Sequence, residues 1–268
     1  MYKAVFIDMD GTLLTSGHSI SAANKQAIHK LISMGILVVP ISARPLHGIL
    51  HITDKVLPPD IPVVSLNGSY IFHQGEIIYE AAMALQDTVA IHNEVRSFDT
   101  TVMYYCRMEW FAAAESALVK KEQRITPVKI TIQPFQQTIK YWQQQNSGVN
   151  KILIAGDKNL VADIEQRLLA VHEGKLNIYK SQPSYLEVMQ LGASKKKAIG
   201  FLLDKYGITQ NEIIAIGDNF NDKEMIAFAA KGVAMGNAPD EIKAVADYVT
   251  DTNNNDGVAK ALAHFFEL

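Results

Sequence analysis

Short apolar runs alternate with helical patterns in the first and last thirds of the chain, whereas the middle third has a different order. The apolar runs in the outer thirds predict buried strands at residues 3–7, 36–41, 63–66, 212–216, 232–235 and 248–250. Helices are predicted to start near Ser21, Pro45, Lys195, Asp222, Pro239 and Gly257. Alternating strands and helices predict an α/β fold, a doubly wound parallel (Rossmann-like) sheet.

The middle of the chain predicts an inserted domain with its own strands and helices. Its strands are predicted at 101–106, 128–132, 151–154 and 185–189, and its helices near 112–123, 134–145 and 158–172. We therefore expect residues 1–82 and 188–268 to form one core domain, and residues 83–187 to form an inserted α+β domain.

Composition narrows the class of protein. The apolar fraction of 48% is enough for a sizeable core, and the net charge of −3 disfavours a nucleic-acid-binding protein. Cys106 is the single cysteine, which rules out a disulfide within the chain and a cysteine-rich zinc site. No apolar run approaches the roughly 20 residues that span a bilayer. We expect a cytoplasmic protein that binds neither membrane nor nucleic acid. A monomer is the default, since no pattern in the sequence sets the oligomeric state.

The first segment with candidate chemistry is FIDMDGTLL at residues 6–14, directly after the first predicted strand. Asp8 and Asp10 are two residues apart, so in extended backbone their carboxylates point to the same side. Two carboxylates this close repel each other, and a hard cation such as Mg²⁺ relieves the repulsion. A carboxylate can also attack phosphorus, and its neighbour can transfer the protons. The alternative is an ordinary acidic turn.

Three further segments carry groups that bind phosphate or a hard cation. In ISARP at 41–45, the Ser42 hydroxyl and the nearby backbone N–H groups can hold phosphate, although a helix-capping serine is the alternative. In LGASKKKAIG at 191–200, a lysine at a helix start can neutralise phosphate, although the lysines can equally form a solvated face. In IGDNFNDKEM at 216–225, the acidic and amide side chains can ligate a cation or cap a helix.

Taken together, in this order and each at a strand or helix end, the four segments resemble the haloacid dehalogenase superfamily of phosphotransferases. The likeness to its Cof-type hydrolases covers essentially the whole chain. It includes SLNGSYIF at 65–72, VAMGNAPDEIKAVADYVT at 233–250 and NDGVAKAL at 255–262. The resemblance implies a phosphatase for a small phosphate ester, such as a sugar phosphate or a phosphorylated cofactor. It also implies that the inserted domain is a cap that selects the substrate.

The resemblance also implies a role for each residue of the site. Asp8 would be the nucleophile and a Mg²⁺ ligand, and Asp10 the general acid and base and a Mg²⁺ ligand through its backbone carbonyl. The remaining roles are phosphate binding by Ser42, Ala43, Lys195 and Asn221, Mg²⁺ ligation by Asp218, and support of Asp218 by Asp222.

Two positions depart from the family pattern. Ala43 stands where the family usually has glycine, and alanine supplies the same N–H group unless the position needs a positive φ angle. Lys195 is followed by Lys196 where glycine is frequent, which leaves Lys196 as a second candidate. We prefer Lys195 because of its distance from Gly192.

Three other functions are compatible with parts of this pattern. A phosphomutase or phosphotransferase would use the same nucleophile and pass the phosphate to a second hydroxyl. A signalling protein phosphorylated on Asp8 is less consistent, since receiver domains are about half this length and lack the insertion. A phosphate sensor without catalysis is disfavoured by the intact Asp8–Asp10 pair.

Overall fold

The computed structural model describes residues 1–54, 56–125 and 128–266. The strands are β1 Ala4–Asp8, β2 Leu37–Ile41, β3 Val63–Ser65, β4 Tyr70–His73, β5 Glu76–Glu80, β6 Thr101–Cys106, β7 Glu109–Ala112, β8 Thr131–Ile132, β9 Lys151–Ala155, β10 Leu176–Gln182, β11 Tyr185–Gln190, β12 Ile213–Gly217, β13 Lys231–Ala234 and β14 Tyr248–Val249. The α-helices are α1 Ala22–Ser33, α2 Leu46–Thr53, α3 Leu85–Val95, α4 Ala117–Ile125, α5 Phe135–Gln144, α6 Lys158–His172, α7 Lys195–Tyr206, α8 Lys223–Phe228, α9 Asp240–Lys243 and α10 Gly257–Phe266.

The chain divides into two compact units. Unit 1 consists of Met1–Ala43, Ile49–Tyr79 and Ser194–Leu268, and unit 2 of Arg44–Gly48 and Glu80–Ala193. The position 187/188, where the sequence predicts a domain boundary, falls inside β11, and this strand belongs as a whole to the sheet of unit 2.

Unit 1 contains an eight-stranded sheet in the order β14-β13-β12-β1-β2-β3-β4-β5. The pairs from β14 to β3 are parallel, and β4 runs antiparallel to β3. The central strand β1 is buried at every residue, as expected for a parallel strand covered on both faces. Since β2 and β12 flank β1 in parallel register, the carboxyl ends of these three strands lie side by side.

Unit 2 contains a six-stranded sheet in the order β10-β11-β9-β6-β7-β8. Its pairs are antiparallel except for β7 and β8. Tyr104, Phe111 and Trp142 are at most 3% exposed and belong to one apolar cluster. The predicted α/β class, with a doubly wound sheet and an inserted α+β portion, is confirmed.

Several elements of unit 2 differ from the sequence-based prediction. Helix α3 is absent from the prediction, and it starts after Ala84, which makes no side-chain capping hydrogen bond. The helix predicted near 112–123 starts only at Ala117: Ala112 is the last residue of β7, which pairs with β6, and residues 113–116 connect the two elements. Strand β10 was also missed.

In the part of the chain that the structure describes, no helix combines the length and apolar character needed to cross a membrane.

Candidate active site

Asp8 and Lys195 form an ion pair at the carboxyl end of β1. Lys195 is the first residue of α7, and its Nζ donates hydrogen bonds to Oδ1 of Asp8 and to Oδ1 of Asp222, the latter at 2.5 Å. All three side chains are at least nine-tenths buried. Lys196 is exposed, and its Nζ lies over the ring of Phe228. Of the two candidate lysines, the structure brings Lys195 to the predicted nucleophile.

Asp218 reaches the same place from the end of the neighbouring strand β12. Its Oδ1 accepts a hydrogen bond from the Thr12 hydroxyl at 2.7 Å. Gly11 lies directly against its carboxylate, since a Cβ atom on Gly11 would be 2.3 Å from Oδ2 of Asp218. Gly11 also has a φ angle of 80°, in the left-handed region that favours glycine. The glycine of the Asp-x-Asp-Gly motif therefore allows both the turn and the approach of Asp218.

Asp222 organises the loop that follows β12. Its Oδ2 accepts the backbone N–H groups of Asp218 and Asn219, each at 3.0 Å, while Oδ1 is bound by Lys195. Both oxygens of Asp222 thus have partners within the protein, and the side chain is fully buried. In this geometry Asp222 supports the site indirectly, because it orients the backbone that carries Asp218.

The site concentrates negative charge. Oxygen atoms of Asp8, Asp218 and Asp222 lie within 4.8 Å of one another. Burial and the nearby carboxylate of Asp222 raise the pKa of Asp8 well above its ordinary value, against the effect of Lys195. Burial and Asp222 likewise raise the pKa of Asp218 to about 7. Burial alone would lower the pKa of Lys195, but Asp222 and Asp8 outweigh it and raise that pKa.

This cluster fits a divalent metal ion. A single lysine cannot neutralise three neighbouring carboxylates, and the raised pKa values of Asp8 and Asp218 reflect burial first and repulsion from Asp222 second. Hard cations prefer carboxylate oxygens and favour the ionised form of such groups. Because both oxygens of Asp222 are already bound, Asp8 and Asp218 are the carboxylates better suited to hold the ion.

Asp10 lies in the turn after β1 and is more open than Asp8. Its side chain is 46% exposed, with Oδ1 3.9 Å from Nδ1 of His18. The backbone of Asp10 pairs with that of Leu14 in an isolated bridge. An exposed carboxylate two residues from the buried Asp8 is placed to exchange protons with solvent.

Ser42 follows β2, and its side chain is 1% exposed. Its backbone N–H donates to the carbonyl oxygen of Val64 at 2.9 Å, so this N–H is not available for phosphate as the sequence suggested. The hydroxyl is the group at Ser42 that can serve. Ala43 is not among the residues with positive φ, so alanine fits the backbone where the family usually has glycine.

Asn221 lies in the short helical turn after Asp218. Its Nδ2 donates a hydrogen bond to Oδ1 of Asn67 at 2.9 Å. Asn237 also lies beside Asp218: its Nδ2 donates to the Gly11 carbonyl at 2.9 Å and lies 3.5 Å from Oδ2 of Asp218. Thr12, Asn67 and Asn237 were not predicted as site residues, although all three belong to segments that resemble the family.

Comparisons with known proteins agree with this geometry. Residues 5–262 match the family described as haloacid dehalogenase-like hydrolase. A Haemophilus influenzae protein with a provisional phosphatase assignment is 40% identical over 269 residues, covering 99% of each chain. The 5-amino-6-(5-phospho-D-ribitylamino)uracil phosphatase YcsE of Bacillus subtilis is 30% identical over 263 residues, covering 98% of this chain and 95% of YcsE.

A solved structure resembles this chain over nearly its whole length. The sugar phosphatase BT4131 of HAD subclass IIB is 26% identical, with a TM-score of 0.85, and the match covers 99% of this chain and 100% of BT4131. These matches confirm the predicted family and the predicted hydrolase class. The chain therefore belongs to the haloacid dehalogenase-like hydrolases.

Proposed function

We propose that this chain is a Mg²⁺-dependent phosphatase that cleaves a small phosphate monoester through a phospho-aspartate on Asp8. The observation that supports the proposal best is the position of Asp8. It stands at the carboxyl end of the central parallel strand, where ligands bind in open α/β sheets, and Lys195 holds its carboxylate.

The proposed reaction has two steps. In the first, the Asp8 carboxylate attacks phosphorus, the bond from phosphorus to the leaving oxygen breaks, and Asp10 gives its proton to that oxygen. In the second, Asp10 takes a proton from water, the resulting hydroxide attacks phosphorus, and the Asp8 carboxylate is released with inorganic phosphate. Asp10 thereby returns to its protonated form, and the cycle closes.

The other site residues would stabilise the transferring phosphoryl group. Negative charge spreads over its equatorial oxygens in the transition state, and hydrogen-bond donors that are already in position stabilise that charge. We assign this part to Lys195, the Ser42 hydroxyl and the Ala43 N–H, while Asn221 contacts the phosphate group of the bound substrate. Asp8, Asp218 and the backbone carbonyl of Asp10 would hold Mg²⁺, which supplies positive charge next to the phosphate oxygens when bound.

The proposed substrate is a phosphorylated sugar, sugar alcohol or cofactor. The named substrate of YcsE carries a phosphoribityl group, and BT4131 is named as a sugar phosphatase. A phosphoribityl compound and a sugar phosphate are both phosphate esters on hydroxyl-rich carbon chains. We further propose that residues 83–187 form the cap that selects among such substrates, as the resemblance implies.

The test is phosphate release from p-nitrophenyl phosphate and from a panel of sugar phosphates, flavin mononucleotide and pyridoxal phosphate. The panel is run with Mg²⁺ and with a chelator. Asp8→Asn should abolish release, while Asp240→Asn should behave like the native chain, because the Asp240 side chain is fully exposed. Turnover that survives Asp8→Asn would refute the nucleophile. Phosphate transfer to a second sugar hydroxyl, without free phosphate, would identify a phosphotransferase or phosphomutase instead.

A further inference from the structure

The turn between β3 and β4 has a strained backbone. Three successive residues have positive φ angles: Leu66 at 49°, Asn67 at 55° and Gly68 at 90°. A buried leucine rarely adopts this conformation, and each such residue costs energy unless its surroundings impose it. Such strain is frequent at functional sites, which makes the contacts of this turn informative.

The turn is tied to three segments that carry predicted site residues. The backbone N–H of Asn67 donates to the carbonyl oxygen of Ser42 at 2.9 Å. The side-chain Oδ1 of Asn67 accepts a hydrogen bond from Nδ2 of Asn221, a residue 154 positions away, at 2.9 Å. Gly68 packs against the start of α7, since a Cβ atom there would lie 2.2 Å from the Ser194 carbonyl oxygen.

Asparagine suits this position for two reasons. Its short polar side chain tolerates the left-handed region better than most residues do. Its side-chain carbonyl supplies an acceptor, which glycine lacks although glycine adopts the same φ angle freely. Asn67 is 2% exposed, so the acceptor of this bond is buried, whereas Asn221 is partly exposed. Backbone freedom alone therefore does not account for this asparagine.

We propose that Asn67 is a positioning residue for phosphate recognition, acting through Asn221. A carboxamide is planar, so the bond from one Nδ2 hydrogen of Asn221 to Asn67 fixes the direction of the other hydrogen and of Oδ1. Without Asn67, the side chain of Asn221 would rotate freely. Binding of phosphate would then have to order this side chain, and the entropy lost in doing so would weaken binding. This inference rests on the proposed function, in which Asn221 contacts the phosphate group.

The test compares Asn67→Gly with the native chain in Mg²⁺, because glycine keeps the left-handed backbone and removes the acceptor together with the rest of the buried side chain. The readouts are kcat and KM for p-nitrophenyl phosphate and the competitive inhibition constant of inorganic phosphate. We expect KM and the inhibition constant to rise together by about 5–10-fold, the worth of one hydrogen bond, with kcat within about twofold of native. Asn146→Gly is the matched control, since exposed Asn146 also has a positive φ angle.

A double variant tests the route through Asn221. In an Asn221→Ala background, Asn67→Gly should raise the inhibition constant of phosphate no further. Effects that multiply in the double variant would show that Asn67 does not act through Asn221. If Asn67→Gly does not fold, Asn67→Ser replaces it. The serine hydroxyl is one bond too short to take the place of Oδ1 of Asn67, so this variant also loses the bond to Asn221 and should raise the same inhibition constant.

The outcomes separate this inference from the proposed function. A native chain that releases no phosphate from any ester would refute the proposed function. A native chain that is active, with KM and the inhibition constant unchanged in Asn67→Gly or Asn67→Ser, would overturn the inference alone. A loss confined to kcat would overturn it as well, because a positioning residue for phosphate acts on binding.

Discussion

A Cβ atom on Gly11 would lie 2.3 Å from Oδ2 of Asp218, which is too close for two atoms that are not bonded to each other. Gly11 lies in the turn after β1, and Asp218 directly follows β12. The contact explains why the turn after Asp10 needs glycine: a methyl group would push away a carboxylate that the site requires.

Gly11→Ala should therefore lose Mg²⁺-dependent activity by about 100-fold, the usual cost of moving a catalytic group by about 1 Å. Gly35→Ala is the matched control. Gly35 has a similar φ angle of 77°, but nothing lies within 4 Å of its added Cβ atom. Both variants should lose about 1–2 kcal/mol of stability from the backbone, and Gly35→Ala should keep native activity. Mg²⁺ titrations of activity and thermal unfolding measure both effects, and equal activity losses would contradict the explanation.

Lys195→Met should remove activity and destabilise the protein, because it leaves Asp8 and Asp222 buried without their cation. Breaking a buried ion pair costs about 3–5 kcal/mol, less where a carboxylate can take up a proton. Lys196→Met should change stability by no more than about 1 kcal/mol, since Lys196 is exposed and its Nζ lies over the ring of Phe228. Denaturant unfolding and phosphate release distinguish the two, and a larger effect at Lys196 would reverse the assignment.

Asp10→Asn should slow the second step more than the first when p-nitrophenyl phosphate is the substrate. The nitrophenolate leaves readily without a proton, whereas water still needs a base. We expect a burst of about one nitrophenol per enzyme, then a steady rate lower by about 10²–10⁴-fold. Stopped-flow absorbance records the burst, and mass spectrometry detects phosphate on Asp8. An Asp8→Asn control should give no burst, and a burst in that control would refute the mechanism.

The metal-free protein should lose stability as pH rises toward 7 because of Asp218. Its pKa is raised to about 7 by burial and by Asp222, so between about pH 4 and 7 the folded state holds a proton that the unfolded state has released. The stability that protonated Asp218 contributes is fully present below about pH 4, and it is lost as the pH rises through 7. The difference in Tm between the native chain and Asp218→Asn should fall by roughly 3 °C per pH unit from pH 5 to 7 in chelator.

Saturating Mg²⁺ should cancel this loss by raising the Tm of the native chain at pH 8, and it should raise the Tm of Asp218→Asn by less. The comparison with Asp218→Asn removes contributions from other groups, such as His92, whose pKa is lowered by burial. A difference in Tm that stays flat from pH 5 to 7 would show that Asp218 is ionised in the folded protein without metal.

Cys106 should be unreactive in the folded protein. It is 1% exposed, its Sγ donates a hydrogen bond to the Gly148 carbonyl oxygen, and burial raises its pKa to about 12. At pH 8 almost no thiolate is present, so iodoacetamide should label the native chain far more slowly than the chain in guanidinium. Activity should persist after treatment of the native chain with the reagent. Rapid labelling under native conditions would contradict the buried position.

Much of the core could be predicted from local pattern. The apolar runs predicted strands in unit 1, and the polar residues after them fell at strand ends. In a parallel sheet the carboxyl ends of neighbouring strands share one edge, and together with the family resemblance this was enough to expect Asp8, Ser42 and Asp218 in one site. In unit 2 the local signals were weaker: α3 has no side-chain cap, and β7 is a strand through its pairing with β6.

The sequence by itself determined the family, the α/β class and a short set of acidic, hydroxyl and basic candidates. Only the tertiary structure decided which lysine meets Asp8, a contact across 187 positions that depends on the face of α7 turned inward. It also decided that the N–H of Ser42 is already bound, and that Asn67 holds Asn221 from a left-handed turn. Such contacts depend on strand register, helix rotation and backbone strain. These are set by packing over the whole unit, which a local pattern of residues does not encode.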